Sequence, residues 1–87
     1  MPRYLLFRAV KERSEEDVEA GARRAIEAMN QMPGVRWIRS YWSFEEGGFY
    51  CEYEAPSAEL LFEHARRARL TLERVELVRE LEPSMFR

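Results

Sequence analysis

Hydrophobic and polar positions along the chain switch between two periods. Residues 3–10 are apolar except for Arg3 and Arg8 and have strand composition. Ser14 then precedes Glu15, Glu16 and Asp17, an N-cap with an acidic first turn, and Ser14 and Asp17 stand at capping-box spacing. From there Val18, Ala22, Ala25, Ile26, Met29 and Met32 recur at helical spacing until Pro33-Gly34 ends the helix. Residues 35–45 carry Val35, Trp37, Ile38, Tyr41, Trp42 and Phe44, a long aromatic strand. Glu46-Gly47-Gly48 supplies a hairpin turn. In residues 49–55, Phe49, Cys51, Tyr53 and Ala55 take one face and Tyr50, Glu52 and Glu54 the other. Pro56-Ser57 opens a second helix, with Ser57 as cap and Leu60, Leu61, His64, Ala65 and Ala68 inward. Residues 74–81 alternate again, with Val75, Leu77 and Leu81 against Arg74, Glu76 and Glu80.

The predicted order is β-α-β-β-α-β over one domain, residues 1–87. It defines an α+β fold of the ferredoxin-like type: a four-stranded antiparallel sheet with two helices on one face. Nothing in the chain is left to cover the other face. The first two strands nevertheless carry large apolar residues on both parities. Tyr4, Leu6 and Val10 oppose Leu5, Phe7 and Ala9; Val35, Trp37 and Tyr41 oppose Ile38, Trp42 and Phe44. A strand wet on one side shows polar residues on one parity. The pattern therefore predicts that the second face is buried against a second copy by two-fold symmetry, giving a homodimeric, α/β-barrel-like assembly.

Composition narrows the chemistry. The 87 residues include one histidine, one cysteine and one lysine. One chain cannot build a disulfide or a zinc cluster of several Cys and His. Abundant Arg and Glu with scarce amides fits a heat-tolerant protein rich in surface ion pairs, and a GC-rich genome gives much the same bias. Net charge is −2, which argues against a polyanion partner. The βαββαβ order is shared with RNA-recognition domains, but the stretch from Glu46 to Tyr53 lacks their basic start and carries glutamate in the strand. No stretch nears the ~18 apolar residues of a membrane span. One unpaired Cys without an export signal suggests the cytoplasm.

Few residues remain to carry chemistry. His64 lies on the apolar stripe of the second helix, as a core histidine or as a metal ligand or acid/base facing a pocket. Cys51 sits mid-strand among apolar neighbours, the setting of a structural thiol. Glu52 and Glu54 share a strand face, within reach of Arg8, Arg36 and Arg39, as ion pairs or as a cation or substrate site. Arg8 interrupts an apolar strand and needs a carboxylate partner or an anionic ligand.

Three segments taken together carry a resemblance: residues 35–41 (VRWIRSY), residues 49–56 (FYCEYEAP) and residues 63–68 (EHARRA). They are similar to a family of small bacterial ferredoxin-like proteins of unknown function, whose members are often described as nickel-binding. The resemblance runs from Tyr4 to Pro83. It implies a dimeric α/β fold and, in some members, transition-metal binding. On this sequence that role falls on His64, with Cys51, Tyr53 and Tyr41 as neighbours.

The expectation is a cytoplasmic homodimer that binds a small ligand or a divalent metal such as nickel, in a pocket between sheet and helices or at the dimer face. His64 would coordinate, Tyr41 and Tyr53 would line the pocket, and Arg8 or the Glu52/Glu54 pair would set its charge. Two other classes stay open. One is a cofactor-independent monooxygenase or isomerase, a reading that rests on fold analogy. The other is a structural or interaction module.

Overall fold

Alternating inward and outward side chains make Arg3–Ala9 a strand, β1. It is followed by α1 (Glu15–Asn30), β2 (Arg36–Ser43), β3 (Gly48–Glu54), α2 (Ala58–Ala68), β4 (Arg74–Val78) and a 3-10 turn at Pro83–Phe86. The structure, a computed structural model, describes residues 1–9 and 14–87. Val10, assigned to the first strand from the sequence, lies outside the described residues. The strands stand in the order β2-β3-β1-β4, each antiparallel to its neighbours. This is the ferredoxin-like arrangement expected from the sequence.

Local chemistry sets the ends of the elements. The Asp17 amide donates to the Ser14 hydroxyl at 3.2 Å, and three acidic residues fill the first turn of α1. Ser57 holds the N-cap position of α2, but its hydroxyl makes no capping bond. α2 ends on Arg69 at φ 57°, a left-handed conformation that glycine adopts at lower cost.

The helices cover one face of the sheet. Tyr4 and Leu6 of β1 and Cys51 and Tyr53 of β3 pack there with Leu61, Met32, Val35 and Ala55. Full burial of an aliphatic side chain such as Leu6 or Leu61 contributes about 1.5–3 kcal/mol. The two helices are tied together by Arg24, whose Nε donates to the Ala68 carbonyl at 2.8 Å.

Strict alternation misplaces part of β2. The register slips between Trp37 and Arg39, leaving Ile38 as an extra residue. Beyond that bulge every side chain changes face. Trp37, Ser40 and Trp42 stand opposite Tyr53, Cys51 and Phe49 on the helix side. Arg36, Arg39 and Tyr41 stand opposite Glu54, Glu52 and Tyr50 on the open side. Trp42, expected opposite Trp37, therefore joins it, and Tyr41 leaves. Gly48, opposite Ala9 in β1, is also required by space: a Cβ there would collide with the carbonyl of Arg8.

Candidate functional site

The inner surface of α1 is built from small residues. Gly21, Ala22 and Ala25 leave a gap where the aromatic wall of the sheet does not reach the helix. The result is an open cleft of about 80 Å³. Its sheet wall is Trp37, Phe49, Cys51 and Tyr53, and Val18 and Leu70 help close it from the helix side. The aromatic wall is ordered by contacts of its own. The Trp37 and Tyr53 rings lie nearly parallel, 13° apart with centroids at 6.4 Å. Trp37 Nε1 donates to the Ser40 hydroxyl at 2.8 Å, fixing the indole.

Arg8 is the charge in this apolar lining. Its side chain is 3% exposed, and Nη1 donates to the Thr71 carbonyl at 2.8 Å. Its guanidinium carbon lies 5.9 Å from the centre of the Tyr53 ring, a cation–π contact. Nη2 is buried and has no hydrogen-bond partner among the described residues. Neither Glu52 nor Glu54 neutralises it, because both lie on the other face of the sheet. Asp17 is the carboxylate on the lining; it is exposed and forms no ion pair with Arg8.

His64 is fully buried behind this wall, its ring 5.3 Å from that of Tyr53. Nε2 donates to the Ala25 carbonyl at 2.8 Å, which fixes the neutral tautomer and leaves Nδ1 as an acceptor with no partner among the described residues. Burial holds its pKa below the usual value; the Ala25 carbonyl opposes that shift, and the Arg8 charge adds to it. The Tyr53 hydroxyl is pushed up to about 12, chiefly by burial, with Arg8 opposing. Both groups stay neutral at pH 7.

The residues expected to act together are thus divided between two faces. Arg8, Tyr53 and His64 cluster on the helix side. Glu52, Glu54 and Tyr41 lie on the open face, where Glu52 pairs with Arg3 and Arg39, and Glu54 with Arg3 and Arg36. Trp37 and Phe49 as cleft walls, and Thr71 as the anchor of Arg8, were not singled out from the sequence. The run of small residues Ala20-Gly21-Ala22 before Ala25 was the available signal, because a helix face without bulk cannot fill the space above a sheet. Among the described residues no three His, Cys, Asp or Glu side chains gather around one point that could hold a metal ion. No described helix is long and apolar enough to cross a membrane.

Comparison with known proteins agrees with the fold. The crystal structure of SCO4226 from Streptomyces coelicolor A3(2) superposes with a TM-score of 0.79, covering 92% of this chain and 99% of that one at 16% sequence identity. That identity supports a shared fold and no more. No curated protein matches the chain significantly. Residues 4–78 match the family described as nickel responsive protein SCO4226-like, and the chain belongs to that family.

Proposed function

We propose that the protein is a small-molecule-binding domain whose site is the cleft between α1 and the sheet, with Arg8 and Tyr53 as its polar groups. The observation that carries this reading is the cleft itself, an apolar space with a buried guanidinium on its wall. Binding is favoured over acid–base turnover because Tyr53 holds its proton to about 12 and the imidazole lies behind the wall. Tyr41, Glu52 and Glu54 take a different role in this reading. With Leu5, Phe7 and Tyr50 they form the open face, which a second copy covers.

The family name brings nickel into consideration, and the donor set does not fit it. His64 offers one buried nitrogen, among the described residues no carboxylate or thiol completes a site around it, and the Arg8 charge is felt there. Nickel is bound through several imidazole, thiolate or carboxylate donors. The family's response to nickel, if this chain shares it, is therefore carried elsewhere than on His64.

Two-dimensional NMR titration with a panel of small carboxylates, amides and amines tests the site. At least one series shifts the amides of Gly21, Ala22 and Cys51, and Ala22→Phe, which fills the cleft, removes those shifts. No shift with any member, or shifts that survive Ala22→Phe, overturns the reading. His64→Gln leaves any Ni²⁺ isotherm unchanged; its loss would return the metal role to that residue. For the second copy, light scattering gives twice the 10.4 kDa chain mass, and a mass of one chain contradicts it.

A further inference from the structure

The cleft reading leaves open what class of molecule enters, and Arg8 narrows it. A cation taken out of water costs several kcal/mol unless an opposite charge and hydrogen bonds replace its hydration. Arg8 has one carbonyl partner, one unpartnered buried nitrogen and no carboxylate within ion-pair distance among the described residues. The chain does not lack acids for the purpose, since Arg3 on the same strand touches Glu52, Glu54 and Glu80. Among the described residues no carboxylate pairs with Arg8, and Arg8 is on the lining of the cleft.

The rest of the lining limits the anion. Phe49, Val18, Ala22 and Leu70 give no donors to additional oxygens and the Trp37 N–H is spent on Ser40, so beyond Arg8 the hydroxyls of Ser40 and Tyr53 are the donors on this lining. A guanidinium and two hydroxyls on an otherwise apolar wall suit the two oxygens of a carboxylate better than the four of phosphate or sulfate. Asp17 on the lining disfavours a second negative charge. The 80 Å³ of space corresponds to roughly half a dozen waters, the scale of a short chain or a single ring.

We propose, building on the cleft reading, that the ligand is a small organic monocarboxylate: its carboxylate is taken by the Arg8 guanidinium, and its apolar body lies against Trp37, Phe49 and Tyr53. A guanidinium–carboxylate contact in this setting is charge-assisted and shielded from water, so it separates an acid from its neutral amide of the same shape.

The test is paired titration in chloride buffer, butyrate against butyramide and benzoate against benzamide, read by NMR shifts of the cleft amides. The wild-type protein binds each acid about tenfold to a hundredfold more tightly than its amide, the range of a hydrogen bond to a charged group. In Arg8→Met the acid-to-amide ratio falls to near one while the amides still bind, which also shows that the variant is folded. Arg8→Lys, which keeps the charge and loses the planar fork, lowers the ratio and serves if the Met variant does not fold. Equal binding of acid and amide by the wild type, or a ratio unchanged by Arg8→Met, overturns the anion inference and leaves the cleft reading standing. Binding of neither class overturns both.

Discussion

Arg3 and Arg8 stand on one strand, on opposite faces of one sheet, and meet opposite surroundings. Arg3 reaches three glutamates, and its neighbours Arg36 and Arg39 extend the charge ladder across β2 and β3. Arg8, under the helices, has a carbonyl, an aromatic ring and, among the described residues, no acid. On the open face each of these arginines meets a carboxylate, so the charges are compensated where they stand. On the covered face a charge costs several kcal/mol, so its presence there points to function more strongly than any number of pairs outside.

The largest break between the faces comes from aromatic truncation. Tyr53 is buried to 1% exposure against Trp37, His64 and Arg8, and Tyr53→Ala costs about 3–5 kcal/mol in urea unfolding. Tyr50, across the sheet against Phe7, is half-buried, and Tyr50→Ala costs about 1 kcal/mol. Equal losses would erase the distinction.

Acid titration sharpens it next. The folded pKa of His64 lies below 6.5 because burial disfavours the imidazolium. Below pH 6.5 the unfolded chain binds a proton that the folded chain refuses. Stability therefore falls with pH by up to about 1.4 kcal/mol per unit until the folded pKa is reached. His64→Gln flattens this slope, and salt leaves it in place. Glu63, on the solvent side of α2, behaves differently. Hydrogen bonds from Arg66 and Arg67 hold its pKa down to about 2, so its contribution is present above 4.5 and lost as pH falls toward 2. Being exposed, that contribution shrinks in 1 M salt. Unfolding curves from pH 7 to 2 at two salt concentrations separate the two groups. The smallest effect lies outside both faces. Arg69→Gly relieves the left-handed residue that ends α2 and raises stability by about 1 kcal/mol.

Much of the fold was legible because periodicity and caps report it directly. The Ser14 cap, the turn at Gly47 and the alternation of β3 each rest on local chemistry that the structure repeats. The bulge at Ile38 was not legible, since one unpaired residue leaves composition unchanged while exchanging the faces of Trp42 and Tyr41. That exchange is why Tyr41 and Tyr53 could be assigned to one pocket and yet stand on opposite sides. His64 was readable as inward-facing, but its bond to the Ala25 carbonyl depends on how α1 packs against α2. Arg8 was readable as a charge in need of a partner. That the partner is absent among the described residues depends on its face, which places the nearby glutamates out of reach.

Equilibrium unfolding of Arg8→Met beside Arg3→Met, in buffer free of organic acids, tests the account most directly. Removing a buried, uncompensated charge leaves Arg8→Met as stable as the wild type or more stable by about 1–4 kcal/mol. Arg3→Met loses stability, and the loss shrinks in 1 M salt. A loss of about 3 kcal/mol or more in Arg8→Met would mean that Arg8 is held by a partner within the chain, and would contradict its reading as a site left open for a ligand.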